Sequence, residues 1–248
     1  MASWLLKSAA VGSLSFLAAT ASANMVTNGG FETCAGTPVQ TDPSLSKTKF
    51  IDCQPTAWTI APTLYNLTFV DAPNTASGSG YLPVYPGMTG TSPTGGNFVQ
   101  ADGDPTYSQA FSQTINGLIA GQQYNLSFYQ ASGQQTTFIG ATTEQWKVTF
   151  GGDLKTSSMM HTASQGFNDW SLQTLTFTAH SASQVLSFLA WGGDGNGAAL
   201  QTSLPPMVFL DGVTLDKVPE PASLALVGLA LVGMVAAGRR GGARAKLA

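Results

Sequence analysis

Between two apolar ends, the sequence predicts an all-β fold, a two-sheet antiparallel β-sandwich. Apolar and polar residues alternate along successive segments from about Phe98 onward, as in strands with one buried face. Gly and Asn turn signals separate those segments. No apolar stripe of helical period persists for three turns anywhere between the ends.

In chain order, Tyr124, Leu126 and Phe128 alternate with Asn125 and Ser127, and Trp146, Val148 and Phe150 with Lys147 and Thr149. Leu175 and Phe177 alternate with Thr176 and Thr178. Leu186, Phe188 and Ala190 form one face of a further run, and Phe209, Val213 and Leu215 one face of the last. Asn116-Gly117, Gly151-Gly152-Asp153 and Gly192-Gly193-Asp194-Gly195 mark turns between them. Trp170 and Leu172 alternate but are out of phase with Leu175, which predicts a bulge near Gln173. Strand phase assigns Trp146 and Trp170 to the core. The stretch from Asp71 to Gly96 is crowded with Gly, Pro, Ser and Thr. It reads as a long loop or inserted edge, a place where binding surface is common.

Residues 24–217 are one domain's worth of chain, enough to bury about 70% of the unfolded surface. They hold five lysines and no arginine against twelve acidic residues, about seven charges negative. Nucleic-acid binding wants the opposite balance. Cys34 and Cys53 are the two cysteines, and in an oxidising compartment an even pair reads as a disulfide. Their spacing is not C-x-x-C, and His161 and His180 lie far along the chain, which argues against a metal site there.

The N-terminus reads as a signal peptide, residues 1–23, with Lys7, an apolar stretch Ala9 to Ala19, and a small-residue site Ala21-Ser22-Ala23 placing cleavage before Asn24. At the other end, Ala222 to Ala237 is uncharged and apolar, and Gly238 extends it. A spanning helix needs about 20 residues, so residues 222–238 are a short transmembrane helix. The basic tail 239–248, with Arg239, Arg240, Arg244 and Lys246, holds that end in the cytoplasm. Residues 24 to about 218 then lie outside the cytoplasmic membrane.

Val218-Pro219-Glu220-Pro221, followed by that helix and the basic tail, resembles the PEP-CTERM sorting signal. Pro219 and Pro221 lack amide donors and favour extended backbone, which keeps the junction out of the helix and open to an enzyme. The resemblance implies recognition and cleavage by a membrane-embedded exosortase-type protease. It also implies delivery to the cell surface or extracellular space, where such proteins belong to polysaccharide and biofilm matrix.

The mature region opens Asn28-Gly29-Gly30-Phe31-Glu32 and closes Leu210-Asp211-Gly212-Val213-Thr214-Leu215, with Gly121 to Phe128 reading G-x-x-Y-x-L-S-F. This is similar to the galactose-binding-like jelly roll of many carbohydrate-binding modules. The resemblance implies a structural calcium ion between the first and last strands, with Glu32 and Asp211 as ligands. Asp211 shares the phase of Phe209 and Val213, so it points toward the core, where a bare carboxylate is costly. The alternative is that Asp211 caps a turn at Gly212 and Glu32 is solvated. Asp102-Gly103-Asp104 and Asp194-Gly195-Asn196-Gly197 lack the full EF-hand pattern and read as turns.

Sugar C–H faces stack on exposed aromatic rings with amide or acid neighbours. Tyr81 and Tyr85 in the Gly/Pro-rich loop, Phe138 in a Gln/Thr loop and Trp191 beside Gly192 are the candidates; each also fits a loop-anchoring role. G-x-S-x-G and H-E-x-x-H are absent, and no catalytic residue is assigned. The expected function is a non-enzymatic exported surface or matrix protein whose sandwich binds carbohydrate. A matrix protein without a sugar site and an extracellular glycan hydrolase are the alternatives.

Overall fold

The computed structural model describes residues 23–35, 53–60, 67–71, 83–85, 92–104, 107, 109–194 and 204–219. The expected signal helix, the C-terminal helix, its basic tail and Tyr81 lie outside the described residues.

Two antiparallel sheets pack face to face, as the alternation predicts. Eleven strands are described: β1 (Thr59–Ile60), β2 (Thr68–Asp71), β3 (Phe98–Asp102), β4 (Phe111–Asn116), β5 (Gln123–Gln134), β6 (Thr142–Phe150), β7 (Asp153–Thr156), β8 (Met160–Thr162), β9 (Phe167–Thr178), β10 (Ser183–Asp194) and β11 (Pro206–Lys217). One sheet runs β1-β4-β10-β6-β7, with β8 also pairing β6; the other runs β2-β3-β11-β5-β9. From β4 onward the chain alternates between the sheets except at the consecutive strands β6, β7 and β8, and the terminal strand β11 lies inside its sheet.

The inward faces follow period two. Trp146, Val148 and Phe150 from β6 and Leu186, Phe188 and Ala190 from β10 meet Leu126, Phe128, Val208, Leu210, Val213 and Leu215 from the other sheet. Aromatic rings dominate this layer. Phe188 stacks on Phe111 at 5.7 Å and receives Phe128 edge-on at 5.3 Å, geometries that add about 0.5–1.5 kcal/mol per pair beyond area burial. Trp146 satisfies its indole N–H by donating to the Phe209 carbonyl at 3.0 Å.

A second, smaller core was not expected. Phe98, Ala131, Met207 and Phe209 are buried on the far face of the five-stranded sheet, joined by Leu67, Val84, Phe167 and Trp170. The expected bulge near Gln173 is absent: β5 and β9 pair continuously from Gln123↔Thr178 to Gln130↔Ser171, and the register shifts between Gln130 and Ser132. Trp170 and Leu172 are out of phase with Leu175 because they face the other way. Trp170 packs edge-on against Phe98 at 5.6 Å, in the second cluster rather than the main core, and Leu172 is exposed.

A bulge does occur in β11, between Asp211 and Thr214. It puts Phe209 and Val213 on opposite faces, which corrects the single face expected for them. Asp211 takes the phase of Phe209 and points away from the main core, yet it is fully buried.

Candidate functional site

The start of the sandwich is fastened to its last strand. Met25 N–H donates to the Leu215 carbonyl at 3.0 Å, Leu215 N–H to Asn24 Oδ1 at 2.9 Å, and Val213 N–H to the Gly29 carbonyl at 2.9 Å. A β-carbon on Gly29 would lie 2.0 Å from the Val213 carbonyl oxygen, so glycine is required for this approach. The turn then places Phe31 in the core and Glu32 at the surface.

Glu32 and Asp211 converge there. A β-carbon on Gly30 would lie 3.8 Å from both Asp211 Oδ1 and Glu32 Oε1. Glu32 Oε1 accepts from Asn97 N–H at 2.9 Å, and Asn97 Nδ2 donates to the Phe31 carbonyl at 3.3 Å. Asp211 Oδ2 accepts from the Thr94 hydroxyl and Oδ1 from its neighbour Gly212 N–H at 2.6 Å. Burial pushes the Asp211 carboxyl up to about 6, and the nearby Glu32 charge adds to the rise; the hydroxyls of Ser92 and Thr94 and the Gly212 amide act the other way. No group of three or more His, Cys, Asp or Glu is in metal-binding range among the described residues, so a cation here relies on two carboxylates plus hydroxyl and carbonyl oxygens. Hard cations take that donor set.

The three described aromatic candidates, Tyr85, Phe138 and Trp191, do not form one site. Tyr85 is half-buried beside Val84, which bridges to Gln135, and its hydroxyl accepts from Gln165 Nε2 at 3.3 Å. Phe138 is half-buried in the turn after Gln135, where its N–H donates to the Gln135 carbonyl at 3.4 Å. Trp191 lies on the other sheet.

Trp191 is half-buried on the outer face of the six-stranded sheet, opposite Gln145 on β6. Register places Thr143, Lys147 and Thr149 on the same face of β6, and Val185, Ser187 and Leu189 on β10. Ser112 and Thr114 continue the face onto β4 and Thr59 onto β1. Lys147 Nζ stands 3.0 Å from the centre of the Trp191 ring. Desolvation in that position lowers the Lys147 pKa. Farther along, a cavity of about 430 Å³ is lined by Thr114, Thr149, Ser187, Ser183 and His180. His180 Nε2 pairs with Asp153 Oδ2 at 2.8 Å on its rim. The result is a hydroxyl-rich surface that carries one indole with one ammonium over it.

Three further carboxyls, Glu144, Asp102 and Asp104, are buried, and sequence reasoning gave none of them a role beyond a turn. Glu144 faces inward at the polar end of the sandwich, where Oε2 accepts from the Thr162 hydroxyl at 2.6 Å and Asn168 Nδ2 steadies both Thr162 and Ser132. Burial pushes it up to about 7. Asp102 accepts from Asp104 N–H at 2.8 Å, the turn the sequence predicts, but both are buried, and burial pushes Asp102 up to about 7. Inward phase at Glu144, two residues before Trp146, was the available signal.

The sandwich passes straight into its C-terminal segment. Strand β11 ends at Lys217. Val218 is then held at both backbone groups, its N–H by the Gln123 carbonyl and its carbonyl by Gln122 Nε2, each at 2.9 Å. Pro219, without an N–H, follows directly. Residues 217–240 match the PEP-CTERM protein-sorting motif. That motif implies an exported, secreted protein. The PEP-CTERM segment thus begins at the last hydrogen-bonded residues of β11.

No curated protein matches the sequence. Among solved structures, the chain is similar to TmCBM61 in complex with β-1,4-galactotriose, with 17% identity, a TM-score of 0.42, and coverage of 79% of this chain and 100% of that one. It is similar to the CBM22-1 xylan-binding domain of Paenibacillus barcinonensis Xyn10C at 13% identity and a TM-score of 0.40, covering 82% of this chain and 100% of that one. A carbohydrate-binding module specific for non-crystalline cellulose, CBM28, aligns at 10% identity and a TM-score of 0.36, over 71% of this chain and 96% of that one.

Proposed function

We propose that the protein is a PEP-CTERM-sorted, non-enzymatic surface or matrix protein whose sandwich binds polysaccharide along the outer face of the six-stranded sheet. The observation that carries the reading is Trp191: a half-buried indole beside Lys147 and Gln145 on a face that also carries Ser and Thr hydroxyls. Sugars present hydroxyls with apolar C–H patches between them, and such a face offers partners for both. An extended sheet surface suits a polymer better than a closed pocket does.

An exosortase-type protease recognises Pro219-Glu220-Pro221, after residues 1–23 have been removed as a signal peptide and residues 222–238 have held the chain in the membrane. Residues 24–217 remain as the exported domain at the cell surface or outside the cell.

Glu32 and Asp211 hold a structural calcium ion in this reading. A buried carboxyl with raised pKa, a second carboxylate close enough to raise it and hydroxyls beside them fit a hard cation. The ion supplies the positive charge that lets Asp211 remain ionised and ties the first turn to β11.

A glycan array probed with the exported protein and with Trp191→Ala tests the binding reading. Polysaccharide binding that the variant loses is expected. Binding by neither protein, with calcium present, overturns it. Release of reducing ends from a bound glycan would restore the hydrolase alternative.

A further inference from the structure

The outer face of the six-stranded sheet is uneven in charge. Register assigns to it Thr59, Ser112, Thr114, Gln145, Ser187 and Trp191, together with Lys147 at the centre and His161 opposite Thr143. No carboxylate shares that face among the described residues: Glu144 turns inward, and Asp153 is paired with His180 at the edge.

Lys147 is also the residue that decides what reaches Trp191. Its ammonium covers the indole ring, 3.0 Å from the centre. It makes no ion pair among the described residues. A neutral pyranose that stacks on this ring must move the ammonium aside and lose the cation–π contact. A sugar bearing a carboxylate need not. Its anion pairs with the ammonium where it stands, and the indole keeps its cation–π contact.

We infer that the polysaccharide bound on this face is acidic, a polymer of uronic acid residues, selected by Lys147 over Trp191. This rests on the reading that the face binds sugar at all. The lowered pKa of Lys147 agrees, because a desolvated ammonium gains from an anionic partner. The negative charge of the rest of the domain repels a polyanion, but screening confines that repulsion to about 8 Å at physiological ionic strength. Lys147 is the charged side chain that register puts beside Trp191 on this face among the described residues.

Galacturonate oligomers and neutral galactose oligomers of equal length differ only at C6, a carboxylate in one and a hydroxymethyl in the other. Calorimetric titration of the exported protein with each, in low and high salt, tests the inference. The expected result is at least tenfold tighter binding of the uronate oligomer, weakened by salt. Lys147→Gln should lose that preference, and Lys147→Arg should keep it. Equal binding of both oligomers, unchanged by Lys147→Gln, overturns the charge selection and leaves sugar binding intact. Binding of neither oligomer overturns the inference, and the glycan array then decides separately whether the face binds any other sugar.

Discussion

Glu32 and Asp211, from opposite ends of the sandwich sequence, flank Gly30: a carboxylate oxygen of each lies 3.8 Å from where a β-carbon on Gly30 would stand, and the Glu32 charge raises the Asp211 pKa. Two carboxylates so placed repel unless a cation or a proton lies between them. Calcium should therefore raise the melting temperature. At a free concentration 100-fold above the dissociation constant, one site adds about 2.7 kcal/mol, or about 5–10 °C for a domain of this size. Melts with calcium and with chelator measure it. Asp211→Asn should abolish the difference, and superimposable wild-type curves would remove the ion.

Gly96 tests the same cradle from outside. It sits at φ +74°, and a β-carbon there would lie 1.6 Å from Glu32 Oε1. Gly96→Ala should cost about 1 kcal/mol or more from backbone strain and should displace the Glu32 carboxylate. The calcium-dependent part of the melt should shrink with it. A variant as calcium-responsive as wild type would show that Glu32 is not a ligand.

Three buried carboxyls set the pH response. Asp102 and Glu144 are pushed up to about 7 and Asp211 to about 6, all first by burial. Unfolded carboxyls titrate near 4, so between about pH 4 and 7 the folded chain holds protons that the unfolded chain releases. Their contribution to stability is greatest at the acidic end and is lost as pH rises through 6 to 7. In chelator, the melting temperature should fall between pH 5 and pH 8, and Glu144→Gln should flatten the fall. A melting temperature that rises over that interval contradicts this account of the interior.

A disulfide joins Cys34 to Cys53 across a sequence separation of 19. Closing a loop of that length is worth about 3 kcal/mol in the chain-entropy model. Reduction, or Cys34→Ser with Cys53→Ser, should lower stability in urea by about that amount with little change in the slope. The bridge fastens the segment bearing Trp58, whose indole N–H donates to the Asn28 carbonyl at 3.0 Å, so the loss should loosen the Glu32 turn as well.

The main core was legible because it obeys period two: Trp146, Val148 and Phe150, or Leu186, Phe188 and Ala190, need one buried face and nothing else. The second core was not. Strand β3 is buried at every residue from Phe98 to Asp102, and β11 at every residue from Pro206 to Asp211. There both faces of the sheet are covered, alternation disappears, and the run Met207-Val208-Phe209-Leu210 was the signal to read. The bulge after Asp211 reversed the phase that had assigned Asp211 to the main core. Register across the sheet, which no single strand encodes, put Lys147 over Trp191 and left Tyr85 and Phe138 elsewhere.

The central claim is that the Trp191 face binds polysaccharide. Affinity electrophoresis of wild type, Trp191→Ala and Tyr85→Ala through gels containing uronate polymers or neutral polymers tests it most directly, with circular dichroism confirming that each variant is folded. Retardation of wild type and Tyr85→Ala, with Trp191→Ala running as it does in an empty gel, is the predicted result. Equal retardation of all three proteins, or of none, would contradict it.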